Sequence, residues 1–261
     1  MKHFVGRTFG PSHSTIVEPG FVAAVERSAL RQEPFDHIYM EGVFNPASYA
    51  ALLDAMPDRR FYHELVDHDA MRSDGSSPRL RMYLYPELLW RLPAEQRRVW
   101  LPVARALCSK ALQDAFKHKF RAALEHRFGK PVERIGLYPV PILLRDQPGY
   151  RIGIHSDVEH KAITVQFYLP RDDSQRHVGT IFHEGGTGEA AERTTQMSFL
   201  PATGYAFPVA LTRSWHSAQT TESDGERVSM MVTYHVADSR RARLWRRLRR
   251  AALFVGWYPK G

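Results

Sequence analysis

Between Ile135 and Val236 the chain is built of short β-prone runs separated by turn residues, and this rhythm limits the fold more than any other feature. Tyr150-Arg-Ile-Gly-Ile154 and Ala162-Ile-Thr-Val-Gln-Phe-Tyr-Leu169 read as two strands, and His155-Ser156-Asp157 lies between them. In a strand, positions i and i+2 share a face, so His155 and Asp157 can reach one point. The triplet alone proves little: 13 histidines and 28 acidic residues in 261 would give roughly one such triplet by accident. Its context gives it weight. His216 follows in Ser214-Trp-His-Ser217, after the strand-like Gly204-Tyr-Ala-Phe-Pro208. Arg227-Val-Ser229 then opens a further strand reaching Val236, with Arg227 and Ser229 on one face.

Two imidazoles and one carboxylate on one side of a metal leave the opposite positions open, the arrangement of non-haem Fe(II) oxygenases. A guanidinium offers a planar donor fork matched to a carboxylate, so Arg227 is the candidate to hold an oxo-acid cosubstrate. The set Gly149-Tyr150…His155-Ser-Asp157, Lys161…Thr164-Val-Gln-Phe-Tyr-Leu-Pro170, Phe207…Ser214-Trp-His216 and Arg227-x-Ser229 resembles the 2-oxoglutarate- and Fe(II)-dependent dioxygenases, especially their prolyl-hydroxylase-like branch. The resemblance spans about residues 135–237, and residues 1–130 carry no part of it.

It implies a mainly β fold, a double-stranded β-helix (jelly roll) with supporting N-terminal α-helices. It also implies that His155, Asp157 and His216 bind Fe(II), that Arg227 anchors 2-oxoglutarate with Ser229 as its helper, and that O2 is the oxidant. Halogenases of this superfamily lack the carboxylate, so Asp157 points to hydroxylation. His63-Glu64-Leu-Val-Asp-His68 has three residues between Glu64 and His68 where a zinc-protease helix needs two, which excludes that reading. His160, His177 and His183 fall in expected loops near the site, and His235 is expected to be structural.

Three segments are expected: residues 1–134 as a strap and supporting helices, 135–237 as the catalytic core, and 238–261 as a basic tail. The first 35 or so residues read as irregular, since Gly10-Pro11 and Pro19-Gly20 interrupt them. Asn45-Pro46 caps a helix running to Met56, Arg79–Tyr85 alternates as an edge strand, and Pro93–Phe128 has helical periodicity. Residues 171–195, polar and Gly-rich, read as a long loop over the site.

The net charge of +8 is not spread evenly. Eight basic residues against Asp238 place +7 in residues 238–261, leaving +1 for the rest, which argues against sequence-specific nucleic-acid binding by the body. In that tail Leu244, Leu248, Ala251 and Val255 form one helical stripe, with arginines around it and Trp245, Phe254, Trp257 and Tyr258 at its edges. An interfacial helix on anionic lipid, formed by residues 240–258, has this composition. A helix packed on the barrel with wet arginines, or one that binds RNA or an acidic partner, has it too. The single Cys108 excludes an internal disulfide, and Met1-Lys-His-Phe-Val lacks a secretory apolar stretch. A cytoplasmic home, with peripheral contact at the inner face of a membrane, is the expectation.

Arg79, Arg81, Arg145 and Arg151 are candidates to meet an anionic sugar, an amino acid or a lipid head group. A small metabolite, saccharide or lipid-linked glycan in a biosynthetic pathway is the expected substrate. A protein or peptide hydroxylase is the alternative enzyme, and a non-catalytic jelly-roll binding module is the alternative from another class.

Overall fold

The computed structural model describes residues 14–65, 76–185, 193–254 and 256. Among the described residues, eleven strands form two antiparallel sheets. The larger has seven strands in the order β1 (Ile38–Met40), β9 (Gly204–Pro208), β6 (Lys161–Tyr168), β11 (Arg227–Val236), β4 (Leu137–Asp146), β3 (Arg79–Tyr83) and β2 (His63–Glu64). The smaller has four, in the order β5 (Arg151–His155), β10 (Trp215–Gln219), β7 (Thr180–His183) and β8 (Thr194–Met197). This is the jelly roll that the sequence led us to expect.

Alternation along the central strands decides what each face meets. Val165 and Phe167 of β6 and Met230, Val232 and Tyr234 of β11 join the main core beneath the helices. Thr164 and Gln166 of β6 and Arg227, Met231 and Thr233 of β11 instead line a cavity between the sheets. The helices on the core side are α1 (Ser14–Arg27), α2 (Pro46–Asp54), α3 (Ala94–Leu107), α4 (Lys110–Lys119) and α5 (Arg121–Phe128). A second apolar cluster, including Tyr168, Phe182, Phe199, Tyr205 and Phe207, fills the space near β7 and β9.

Several local readings need correcting. Residues 14–27 are helical despite Pro19, because Phe21, Ala24 and Val25 are buried and Phe21 packs on Phe44 and Phe167. Tertiary burial outweighs a local break here. The periodicity from Pro93 to Phe128 is divided among three helices, with Ser109 capping α4 through Leu112 N and Gly129 ending α5 at φ 60°. The strand beginning at Arg79 is not an edge, since β2 pairs outside it. The stretch 171–195 contributes β7 and β8, with residues 186–192 outside the described part. The large sheet also crosses the expected boundary at 135, taking β1, β2 and β3 from the N-terminal segment.

The α2 helix does start where the sequence placed it, with Asn45 Oδ1 accepting from Ser48 N at 2.8 Å. The tail forms α6 (Arg240–Phe254), and it is not a free appendage. Its Leu253 is buried against Tyr85 and Leu88, and Arg250 pairs with Glu87. Among the described residues no helix is long and apolar enough to cross a membrane.

Trp100 of α3 is fully buried and donates its indole N–H to Ala55 O at 2.8 Å. A Trp100→Ala change removes both, so the chain is expected to lose about 3–5 kcal/mol, read as a lower denaturant midpoint with an unchanged slope.

Candidate metal and oxo-acid site

The register between β5 and β10 sets His216 directly opposite His155, and their rings stand 4.3 Å apart between centroids. His155 Nδ1 lies 2.9 Å from Gly153 O, and His216 Nδ1 lies 3.0 Å from Ser214 O. A carbonyl can only accept, so each Nδ1 carries a proton, and in the neutral imidazole the lone pair then lies on Nε2. That is the tautomer a metal ligand needs. Burial pushes the His216 pKa down to about 4, outweighing the pull of Asp157, so this imidazole is neutral at neutral pH.

Asp157 lies just past the end of β5 in the same cavity. Burial works to raise its pKa, but the Lys161 ammonium, His216 and a hydrogen bond from Thr164 outweigh burial and hold the carboxyl below its usual range. The Lys161 Nζ and Thr164 Oγ1 hydrogen bonds go to different carboxylate oxygens. Among the described residues, no three His, Cys, Asp or Glu side chains stand close enough together to hold a metal ion. The donor chemistry nonetheless fits one: two imidazole rings stand together with each Nδ1 held by a carbonyl, and an ionised carboxylate in the same cavity is compensated by a cation. Asp157 would exchange Lys161 for the metal.

Arg227 is fully buried. Its Nη1 donates to Asp146 Oδ2 at 2.8 Å, its Nε to Val178 O at 2.8 Å and its Nη2 to Thr180 Oγ1 at 3.0 Å. The rings of Tyr168 and Phe199 stand against the guanidinium. Arg79 also holds Asp146, at 2.6 Å, so two guanidiniums share one buried carboxylate and the group keeps a net positive charge. That charge borders the cavity, which suits the far carboxylate of an oxo-acid. Ser229 reaches this region through an intermediary: its Oγ accepts from Gln166 Nε2 at 2.7 Å, and Gln166 Oε1 accepts from Tyr205 at 2.6 Å.

The cavity, of about 550 Å³, is lined by His155, Asp157, His216 and Arg227 among others. Sequence reasoning did not single out Asp146, Thr180, Gln166 or Tyr205. Thr164 and Gln166, two apart in an otherwise apolar strand, were the available sign. Asp146 had none, because the cation it neutralises is 81 residues away. Of the four arginines named as substrate candidates, Arg79 and Arg81 line the cavity. Arg145 pairs with Glu226 instead, and Arg151 is exposed. His160 and His235 line the cavity with rings 4.7 Å apart, so His235 has a place in it beyond the structural role expected. His183 bonds Ser217 and His177 bonds Asp224.

No protein-family profile and no curated protein sequence matches this chain. Solved structures do match in fold. A prolyl hydroxylase from Trichoplax adhaerens, in complex with a hypoxia inducible factor oxygen degradation domain peptide fragment, is 10% identical with a TM-score of 0.52, over 85% of this chain and 88% of that one. A Pseudomonas putida prolyl-4-hydroxylase is 13% identical with a TM-score of 0.51, over 83% and 99%. A prolyl 4-hydroxylase from Phytophthora capsici is 10% identical with a TM-score of 0.52, over 91% and 70%. The chain shares the prolyl-hydroxylase fold.

Removing Asp146 would leave Arg227 and Arg79 facing each other in a dry interior. An Asp146→Ala variant is expected to lose about 3–5 kcal/mol of stability, because an uncompensated buried charge remains. A thermal or urea midpoint equal to that of the unmodified chain would contradict the shared ion pair.

Proposed function

We propose that this protein is an Fe(II)- and 2-oxoglutarate-dependent oxygenase that hydroxylates a small molecule. One observation carries the reading: two imidazoles paired across β5 and β10, each with its Nδ1 held by a carbonyl, share a cavity with an ionised, buried carboxylate and a buried guanidinium. The fold it shares with prolyl hydroxylases supports the same reaction class.

When bound, iron with 2-oxoglutarate and O2 supplies the oxidising power to replace a substrate C–H with C–OH. His155, His216 and Asp157 are the residues that would hold the iron. The Nδ1 bonds to Gly153 O and Ser214 O fix the imidazole tautomer and ring orientation, while Asp157 would turn from Lys161 to the metal. Lys161 and Thr164 keep Asp157 ionised and in place. Arg227 orients the oxo-acid through its far carboxylate, while Asp146, Val178 and Thr180 prevent the guanidinium from swinging. Hydrogen bonds running from Tyr205 through Gln166 to Ser229 hold that end of the wall rigid.

A metabolite, saccharide or lipid-linked glycan is the substrate class we favour. The peptide bound to one fold relative makes a peptide substrate the reading to test beside it. Succinate release during incubation with candidate metabolites and proline-containing peptides separates the two, and release with neither would leave a binding module.

The chain is expected to take up one Fe(II) per molecule in an anaerobic titration, and Ala at His155, Asp157 or His216 should weaken that binding. Full occupancy in the triple variant would overturn the site. Arg227→Lys loses the donor fork, so the apparent 2-oxoglutarate affinity is expected to fall more than tenfold, on the scale of ~1.5–3 kcal/mol for hydrogen bonds to charged groups. An unchanged titration would place the anchor elsewhere.

A further inference from the structure

Helix α6 lies along the cavity with its two sides reversed from the usual order. Arg246, Arg249, Arg250 and Leu253 line the cavity, while Leu244, Trp245 and Leu248 are 58%, 51% and 59% exposed. A half-buried guanidinium calls for a counter-charge. Arg250 has Glu87. Among the described residues, neither Arg246 nor Arg249 has a carboxylate in ion-pair contact; both stand against the Trp245 ring, at 5.5 and 4.7 Å from its centroid. Burial and then repulsion from Arg249 hold the Arg246 pKa below its ordinary value, as befits a cation short of an anion.

The surplus extends across the cavity. Asp157 is the one carboxylate in its described lining, against seven cationic side chains. Asp146 lies between Arg79 and Arg227, and Glu87 holds Arg250, so the pair on α6 with no carboxylate in ion-pair contact among the described residues is Arg246 and Arg249. A single carboxylate would balance only one of these two guanidiniums, whereas a phosphate ester brings nearly two charges and three acceptor oxygens. Guanidinium groups are well suited to it.

We propose that the substrate carries a phosphate group held by Arg246 and Arg249 at the α6 wall, with its reacting carbon toward His155 and His216. This rests on the reading of the cavity as the reaction site. The phosphate could belong to a soluble ester or to a lipid head group. Calorimetric titration of metal-free, full-length protein decides, using glucose 6-phosphate, monomeric dihexanoyl phosphatidic acid and inorganic phosphate as probes. At least one ester is expected to bind, and Arg246→Gln/Arg249→Gln should weaken it at least tenfold. Arg241→Gln/Arg247→Gln, on the exposed side of the same helix, should bind as the unmodified chain does. The tighter of the two esters identifies the source. No binding of any probe, or equal loss in both double variants, overturns the proposal. Phosphate binding without Fe(II) binding would instead retain the anion site and overturn the oxygenase reading.

The outward side of α6 carries a second, independent proposal. Leu244, Trp245, Leu248 and Phe254 are exposed, and Trp90, 55% exposed, extends the patch with its ring 6.0 Å from that of Phe254. Apolar patches of this kind mark surfaces that are covered in use. Exposed Arg240, Arg241 and Arg247 flank it. A second copy of the chain would set those arginines against each other, whereas anionic lipid satisfies both the apolar side chains and the charges.

We infer that α6 docks on an anionic bilayer. Full-length protein should sediment with vesicles of phosphatidylcholine and phosphatidylglycerol, remain in solution with phosphatidylcholine alone, and release as salt rises. Leu244→Ser/Leu248→Ser should lose the binding while retaining the circular-dichroism spectrum. Equal binding to neutral vesicles, or a dimer in solution that the same substitutions dissolve, would overturn the inference.

Discussion

The pairing of β10 with β5 sets His216 opposite His155, and the rest of the site is arranged around that register. Side chains in a strand repeat every two residues, so a slip of one position would turn one imidazole out of the cavity. Two features secure it. β10 lies between β5 and β7, so it is fixed from both edges, and each imidazole is tied to a carbonyl two residues before it. The neutral state of His216 follows from the same burial, so geometry and protonation have one cause.

The opposite wall solves a different problem, that of keeping a positive charge in a dry place. Asp146 sits between Arg79 and Arg227 and stabilises both without cancelling them. What remains is a fixed positive field facing a cavity otherwise short of carboxylates. Lys161 performs the complementary task for Asp157. Asp157 and the Arg79–Asp146–Arg227 group are each held by opposite charge, and the positive surplus faces the cavity where an anionic cosubstrate and a phosphate would enter.

The strands of the core and the residues His155, Asp157, His216 and Arg227 were legible because their signals are local: period-two alternation, an i, i+2 pair and a fixed motif order. The path of α1 was not legible, because Pro19 is read locally whereas the burial of Phe21 against Phe44 and Phe167 is settled by distant residues. β7 was hidden in a polar stretch whose strand character comes from pairing with β10 and β8. The tail's amphipathic pattern was visible, but a helical wheel does not say which side faces the body. On that question the structure places Arg246, Arg249 and Arg250 inward beside Leu253, and Leu244 and Leu248 outward.

The central claim is that His155, His216 and Asp157 can close on one metal ion. Crystals prepared without oxygen and soaked with Fe(II) and 2-oxoglutarate test it by anomalous scattering at the iron edge. One peak bonded to Nε2 of both histidines is expected, with the Asp157 carboxylate turned from Lys161 to the metal. A peak elsewhere, or an Asp157 still paired with Lys161 and no density between the two imidazoles, would contradict it.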